Sequence, residues 1–283
     1  MSIAYLNGRF LPIADARISV LDRGFLFAEG VYEVTAVIDG RLVDSASHLD
    51  RLARSAGEIG IALPLIPDEI EATQKQLVER NGLDEGLIYL QLTRGADESR
   101  DFLPAPDLQP TLVMFVQHKL FLNASAARTG IAVVTTPDLR WARRDIKSTG
   151  LLAQAMAKQI AAHAGAQEAW MVEDGHVTEG ASSTAFIVTD DAIVTRAYSQ
   201  AVLAGCTGAA LTALAQEAGM TVVRRPFTVA EALGAKEAFI TSASTLCQSV
   251  VRIDGQPIGD GRPGPVATRL REIYVDFARR TAV

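Results

Sequence analysis

Strand-like and helix-like patterns alternate along both halves of this chain, and no internal repeat connects the halves. Two β-hairpins are predicted near the start, because Asn7-Gly8 and Asp39-Gly40 are turn dipeptides between β-prone runs. Ser45 is expected to cap a helix that continues to about Ile59. An alternation of this kind predicts an α/β protein of mixed α+β type.

A run of small and polar residues predicts a division into two domains. We expect an N-terminal α/β domain over 1–118, an interdomain connector over 119–128 and a C-terminal α/β domain over 129–283. The alternating segments of both domains follow the periodicities of strands and helices. Beyond the hairpins, strands are predicted over 87–93, 111–117, 131–135, 168–173, 184–189 and 238–241, and helices over 67–80, 150–164, 207–218 and 265–279.

The composition argues against several classes of protein. The formal net charge is −6, so a broad surface for nucleic acid or an anionic membrane is not expected. The apolar runs are shorter than a membrane span, and residues 1–20 lack the pattern of a signal peptide. Two cysteines make no disulfide framework, and four histidines form no metal-ligand pattern. We therefore expect a cytoplasmic protein with no metal site.

One lysine and one carboxylate stand out in the second half. Lys147 follows Asp145-Ile146 and precedes a predicted helix, and Glu179 stands before the small residues 180–184. A partly buried lysine can bind an aldehyde, and a carboxylate can hold a pyridine nitrogen protonated, which is the pair that pyridoxal 5′-phosphate requires. A solvated surface lysine and a turn carboxylate are the plainer interpretations of the same two residues.

Three features are candidates for binding a phosphate. The segment 205–208 is glycine-rich and precedes a predicted helix, whose N-terminus would attract an anion. The segment 241–245 is rich in hydroxyl groups, and Arg51 can bind phosphate through its guanidinium. Alternatively, Thr207 is only a helix cap and Arg51 only a surface residue. No Gly-x-Ser-x-Gly segment indicates a serine hydrolase.

Taken in order, seven segments resemble the fold-type IV pyridoxal phosphate enzymes, and most closely the D-amino acid aminotransferases. They occur in the order and with the spacing typical of that family, over nearly the whole chain. The resemblance therefore implies a two-domain enzyme of that fold type, with a cofactor-binding C-terminal domain. The segments are Tyr5-Leu6-Asn7-Gly8, Asp22-Arg23-Gly24, Gly30-Val31-Tyr32-Glu33, His48-Leu49-Asp50-Arg51-Leu52, Asp145-Ile146-Lys147-Ser148, Val177-Thr178-Glu179-Gly180 and Gly205-Cys206-Thr207.

The resemblance implies a role for each matched residue. Lys147 would bind the cofactor aldehyde and later move the proton, Glu179 would pair with the ring nitrogen, and Leu203 would pack on the ring face. It also implies a homodimer, an amino donor and a 2-oxo acid acceptor. The implied phosphate ligands are Arg51, Cys206, Thr207, Ser242, Ala243 and Ser244, and the implied substrate-binding residues are Tyr32, Val34, Tyr89 and Arg100.

The sequence of one loop differs from that of the corresponding loop in D-amino acid aminotransferases. Their Arg-x-His pair, which binds the substrate carboxylate, is replaced here by Ser99 and Asp101. We therefore expect Arg100 to bind the carboxylate, with Arg23 or the partner subunit as the alternative source of a cation, and Asp101 to face solvent or pair with an arginine.

Because this Arg-x-His pair is replaced, the activities of several related enzymes stay open as alternatives. They are an (R)-selective amine transaminase, an aminodeoxychorismate lyase and a branched-chain aminotransferase. The last fits less well, because its usual Tyr-x-Arg is Tyr89-Leu90-Gln91 here. A non-catalytic α/β binding protein is the alternative from a different class.

Overall fold

Two β-sheets organise the protein, one in each of two units. The computed structural model describes residues 2–283. The first unit contains the residues up to Leu120 together with Ile146–Gly150 and Ala278–Val283, and the second contains Phe121–Asp145 and Leu151–Phe277. The short segment around Lys147 therefore packs with the first unit, although the residues on both sides of it pack with the second.

The first unit has six strands and three α-helices. The strands are β1 (Ile3–Leu6), β2 (Arg9–Pro12), β3 (Gly30–Ile38), β4 (Arg41–Leu42), β5 (Gly86–Thr93) and β6 (Thr111–His118). A 3-10 turn covers Ile13–Asp15, and the helices are α1 (Arg23–Phe27), α2 (Ser45–Glu58) and α3 (Pro67–Asn81). The strands form one antiparallel sheet in the order β2-β1-β6-β5-β3-β4.

Local sequence accounts for most of this unit. Both predicted hairpins are confirmed, and Asn7 and Asp39 have the positive φ that a two-residue turn of this type requires. Leu49 and Leu52 of α2 lie in the core against the sheet. The predicted cap is wrong: Asp44 precedes α2, and the Ser45 hydroxyl instead donates a hydrogen bond of 2.7 Å to Glu71.

The second unit has nine strands and four α-helices, and a fifth helix, α8 (Pro265–Thr281), begins in it. The strands are β7 (Ile131–Pro137), β8 (Glu168–Glu173), β9 (His176–Gly180), β10 (Thr184–Val188), β11 (Ile193–Thr195), β12 (Val222–Arg224), β13 (Glu237–Ser242), β14 (Leu246–Ile253) and β15 (Gln256–Pro257). The helices are α4 (Ser125–Thr129), α5 (Leu152–His163), α6 (Cys206–Glu217) and α7 (Val229–Leu233).

The second sheet is mixed. Its order is β12-β11-β10-β13-β14-β7-β8-β9, with β15 paired to β14. β7 runs parallel to both β8 and β14. The sequence prediction lacks β9, β11, β12, β14 and β15. For β9, the composition of residues 177–180 predicts a turn. These residues form a strand instead, because they pair with β8.

Within residues 2–283, none of the helices combines the length and the apolar character needed to cross a membrane. The mixed α+β class predicted from the sequence is confirmed.

Candidate active site

Lys147 is held against β3 in the first unit. The Tyr32 N–H donates to the Lys147 carbonyl at 3.0 Å, and the Thr149 N–H donates to the Gly30 carbonyl at 2.9 Å. Ile146, just before the lysine, is buried in the core. The Lys147 amine lies 4.2 Å from the centroid of the Tyr32 ring. The backbone is therefore fixed like a short extra strand, and the half-buried amine is placed at an aromatic face.

That aromatic face continues across the sheet. Tyr32 stacks on Tyr89 with ring centroids 5.7 Å apart, and Tyr89 lies 5.0 Å from Phe115. Val34 is paired with Tyr89 in the β3–β5 register, and alternate residues of a strand share one face. The Tyr89 hydroxyl donates to Gln91 Oε1 at 2.7 Å. Burial, and then the nearby Tyr32, raise the pKa of Tyr89 to about 12, so its hydroxyl stays neutral near pH 7.

Arg51 is not a surface residue, because Glu33 and His48 hold it in a buried cluster. Its Nε and Nη2 donate to the two Glu33 oxygens at 2.6 and 2.7 Å, and His48 Nδ1 lies 2.7 Å from the same carboxylate. Burial favours the neutral acid, but the charge and hydrogen bonds of Arg51 and then His48 outweigh it and lower the pKa of Glu33 to about 2. The sequence motifs contain Glu33 and His48, but sequence reasoning assigned neither a role.

Glu179 lies on β9 in the second unit and is 5% exposed. The Leu203 N–H donates to its two oxygens at 3.2 and 3.3 Å, and the Arg140 guanidinium donates to Oε1. Arg140 also binds Asp138, with distances of 2.9 and 2.6 Å. Sequence reasoning missed Arg140, because nothing in the local sequence distinguishes a buried arginine in this loop from an exposed one. Glu179 is thus a buried carboxylate rather than a solvated turn residue.

The first turn of α6 is a candidate phosphate site. The helix begins at Cys206, and its N-cap residue Gly205 has no side chain that could cap it. Thr207 is its second residue and 3% exposed, so the interpretation of Thr207 as a helix cap is wrong. A Cβ added at Gly208 would lie 3.1 Å from Thr241 Oγ1. That hydroxyl is buried and has no hydrogen-bond partner among residues 2–283.

The hydroxyl-rich turn after β13 follows Thr241 directly. Ser242 Oγ lies 3.2 Å from Ser244 Oγ and 2.8 Å from Thr245 Oγ1, with Ala243 between the two serines. A buried hydroxyl without a partner among the described residues, next to a helix N-terminus that follows a glycine and to a hydroxyl-rich turn, fits the phosphate of a cofactor.

The loop that was expected to bind the substrate carboxylate is anchored by Arg23. This buried guanidinium donates to the carbonyls of Asp101 and Phe102 at 2.7 and 2.8 Å and to Glu29 at 2.5 Å. The Asp101 carboxylate accepts the Leu103 N–H of its own loop at 3.0 Å. Arg100 is exposed, and its guanidinium lies 5.0 Å from the centroid of the Phe27 ring. The Arg23 guanidinium is therefore hydrogen-bonded to the backbone of this loop, whereas the Arg100 guanidinium contacts the ring of Phe27.

Comparisons with known proteins agree on one family. Residues 30–253 match the sequence profile described as amino-transferase class IV. The chain is 34% identical over 277 residues to a D-alanine aminotransferase of Staphylococcus aureus (strain MSSA476), covering 98% of each protein. It is 36% identical over 266 residues to a D-alanine aminotransferase of Bacillus licheniformis, covering 94% of this chain and 93% of the relative.

A solved structure gives the same result for the fold. A branched-chain amino acid aminotransferase from T.th., solved with pyridoxamine 5′-phosphate, superimposes with a TM-score of 0.91 at 28% identity. The match covers 97% of this chain and 93% of that one.

Proposed function

The chain belongs to the class IV amino-transferase family, and we propose that it transfers an amino group between a D-amino acid and a 2-oxo acid. One observation carries the choice of substrate: the 34–36% identity to D-alanine aminotransferases extends over nearly the whole chain. The fold-level match to a branched-chain aminotransferase is weaker support, since folds host many substrates. Gln91 also stands where the branched-chain enzymes usually have an arginine.

Class IV aminotransferases use pyridoxal 5′-phosphate, and the second unit supplies groups that fit its phosphate. Our proposal places the phosphate at the first turn of α6, with Cys206 and Thr207, and at the Ser242–Ser244 turn. The buried, partnerless Thr241 hydroxyl supports this placement. Arg51 would supply the cationic charge, because Glu33 keeps its guanidinium ordered.

The bound cofactor supplies an electron sink for the charge that develops when a proton leaves the substrate Cα. Lys147 is proposed to bind the cofactor aldehyde through its Nζ, then to take the Cα proton and return it to the carbon beside the ring. The ordered backbone on both sides of Lys147 and the aromatic ring of Tyr32 orient the amine for this task.

Glu179 is proposed to keep the ring nitrogen protonated. Its burial and its hydrogen bond from the Leu203 N–H support this role, because a preorganised charge in a dry site acts strongly. Leu203 would pack on the ring, next to the backbone N–H that orients Glu179. Most of the cofactor contacts would then come from the C-terminal domain that the sequence predicts over 129–283.

The substrate pocket is proposed to include Tyr32, Val34 and Tyr89 on one face of the first sheet. Arg100 would bind the substrate carboxylate, because Arg23 is engaged by its own loop. An (R)-selective amine transaminase is the second candidate, and the absence of the Arg-x-His pair favours it, since an amine has no carboxylate to bind.

A homodimer is proposed on the basis of an exposed apolar stripe. Leu152, Met156 and Ile160 of α5 are 77%, 46% and 45% exposed, and their spacing of four residues places them on one helix face. Such a stripe is costly in water and suits a contact with a second copy of the chain. A cytoplasmic location is also proposed, because both cysteines are buried as reduced thiols.

A panel of amino donors tests the proposed function. Purified enzyme is assayed with D-alanine, L-leucine and (R)-1-phenylethylamine, each with 2-oxoglutarate as acceptor and with Lys147→Ala as the inactive control. We expect D-alanine to have the highest kcat/KM. A preference for the phenylethylamine would favour the amine transaminase instead. Release of pyruvate from aminodeoxychorismate without an added oxo acid would identify a lyase.

A further inference from the structure

The Arg271 side chain of α8 is hydrogen-bonded to the backbone beside the hydroxyl-rich turn that follows β13. Its Nη1 donates to the carbonyls of Thr245 and Cys247, both at 2.8 Å. Its Nη2 donates to the carbonyls of Phe121 and Leu122, at 2.6 and 3.3 Å. One guanidinium therefore joins two separate backbone segments of the second unit, and its Nη1 holds the backbone on both sides of the first residue of β14.

That residue, Leu246, has a backbone conformation that leucine rarely adopts. Its φ is 59°, in the left-handed region, and its side chain is fully buried. Only glycine takes this conformation routinely, because the Cβ of other residues comes too close to a carbonyl oxygen. A leucine persists there only where the surrounding structure fixes the backbone. The two hydrogen bonds from Arg271 to the flanking carbonyls supply such a constraint.

The helix that carries Arg271 is fixed to the sheet one turn earlier. The Glu237 carboxylate of β13 is buried and accepts the N–H groups of Val266 and Ala267, each at 2.9 Å. The Cys247 thiol of β14 donates to the Ala267 carbonyl at 3.5 Å. The start of α8 is thereby bound to both strands that flank the turn, so the backbone of Arg271 has a fixed place relative to the turn.

The turn itself contains the groups that fit a phosphate. It follows Thr241, whose buried hydroxyl has no hydrogen-bond partner among residues 2–283. Ser242 Oγ lies 2.8 Å from Thr245 Oγ1 and 3.2 Å from Ser244 Oγ. The backbone bond that closes the turn, from the Thr245 N–H to the Ser242 carbonyl, is 3.4 Å long and therefore weak. The positions of these hydroxyls thus depend on the Thr245 backbone, which Arg271 holds.

We propose that Arg271 is a positioning residue for the phosphate site. It holds the backbone of residues 245–247 in the geometry that presents the hydroxyls of residues 242–244 to a phosphate. This inference rests on the proposed function, which places the cofactor phosphate at that turn. Arg271 acts through the backbone, so its loss lets Leu246 relax to a negative φ and changes the shape of the turn. The binding of a phosphorylated cofactor then weakens more than the binding of the same cofactor without its phosphate.

The test compares two ligands of the folded apoenzyme. Apoenzyme is titrated with pyridoxal 5′-phosphate and with pyridoxal, which lacks the phosphate, and the dissociation constants are read from the tryptophan fluorescence. The ratio of the two constants is the phosphate preference. Arg271→Ala should reduce this preference roughly 5-fold to 150-fold, which corresponds to the free energy of holding one residue in the left-handed region. Equal weakening of both ligands would mean that Arg271 is only structural, and would overturn the inference.

Two further variants separate positioning from charge. Arg271→Lys keeps the positive charge but not the planar fork that reaches both backbone segments, so it should recover only part of the preference. Complete recovery by lysine would show that the charge alone is needed and would overturn the inference. Arg269→Ala is the matched control, because it removes an exposed arginine that pairs with Glu272 on the same helix. Its preference should equal that of the wild type.

A reference variant distinguishes failure of the inference from failure of the proposed site. Thr207→Val removes a hydroxyl that is proposed to bind the phosphate at the first turn of α6, and it should lower the preference. If Thr207→Val lowers the preference and Arg271→Ala does not, the inference alone fails. If the wild-type apoenzyme does not prefer the phosphorylated ligand, the proposed phosphate site fails and the inference fails with it.

Folding of the variants is checked by circular dichroism before titration. If Arg271→Ala does not fold, Arg271→Met is titrated in the same way, because methionine keeps the apolar stem of the side chain and has no donor. The same loss of preference, roughly 5-fold to 150-fold, is expected for it. An unchanged preference in the folded methionine variant overturns the proposal.

Discussion

The Glu33 carboxylate accepts two hydrogen bonds from the Arg51 guanidinium, at 2.6 and 2.7 Å, inside the first unit. This pair holds Arg51, which resembles a surface arginine in the sequence, as an ordered and largely buried cation. Because each partner compensates the charge of the other, removal of either one leaves the remaining charge less well compensated. The stability of the protein should therefore depend on the ionisation of Glu33.

A pH dependence of stability follows from the pKa of Glu33, about 2 in the folded protein against an ordinary value of 4.5. A lowered carboxyl pKa stabilises the fold above pH 4.5, and that contribution is lost as the pH falls from 4.5 towards 2. The full contribution is about 3 kcal/mol. We expect the difference in free energy of unfolding between wild type and Glu33→Gln, measured in urea, to shrink by about 2 kcal/mol between pH 6 and pH 3.

The exposed Glu79 of α3 provides the control for this experiment. Glu79→Gln should differ little from wild type at either pH, since surface carboxylates contribute little to stability. A wild-type advantage over Glu33→Gln that stays constant from pH 6 to pH 3 would contradict the assignment of the low pKa to Glu33.

Lys147 is predicted to be the lysine that binds the cofactor. Borohydride reduction of the holoenzyme followed by peptide mapping should place the pyridoxyl group on residue 147, because its amine is half-buried and ordered beside Tyr32. Lys147→Ala should lose the absorbance of the covalently bound cofactor and nearly all turnover. Lys75, exposed on α3, serves as the control, and a label found there would refute the prediction.

Glu179→Gln is predicted to slow the removal of the Cα proton. The substitution keeps the size of the side chain but removes a charged partner from a dry site, which is worth on the order of 2–4 kcal/mol, or roughly 30-fold to 1000-fold in rate. The measurement is kcat with saturating D-alanine, with a deuterium isotope effect at Cα to show that this step limits the rate. An unchanged kcat would be incompatible with the role.

Arg100→Ala is predicted to weaken the binding of substrates that carry a carboxylate. The loss of a charged hydrogen-bond donor should cost roughly 1.5–3 kcal/mol of binding. KM for D-alanine should therefore rise much more than KM for (R)-1-phenylethylamine. Arg100→Lys should recover only part of the loss, because the ammonium lacks the planar fork. Equal changes for both substrates would rule out Arg100 as the carboxylate ligand.

Leu152→Glu is predicted to weaken the proposed homodimer. The substitution places a charge on the exposed apolar stripe of α5, where it must be desolvated if a second copy packs there. Light scattering coupled to size-exclusion chromatography should show a lower apparent mass at low concentration than for wild type. Glu217→Gln at the end of α6, an exposed position, is the control. An unaltered mass for Leu152→Glu would show that the stripe is not the dimer contact.

Much of the fold could be predicted from local sequence. The turn dipeptides at residues 7–8 and 39–40 set both hairpins, and the helix over 67–80 is present as Pro67–Asn81. The strand at His176–Gly180 could not be predicted, because only its pairing with β8 overrides a turn-like composition. The domain boundaries at 118 and 128 stay a prediction, as do the roles of the site residues.

The candidate site shows the same division between local and tertiary information. The sequence by itself determined many of the elements, the family resemblance and the candidates Lys147, Glu179 and Arg51, because turn chemistry, apolar periodicity and ordered motifs are properties of neighbouring residues. Only the tertiary structure decided which charges meet: Arg140 with Glu179, 39 positions apart, and Arg51 with Glu33, 18 positions apart. The energy of an ion pair depends on distance and burial in space, and neither quantity is readable along the chain.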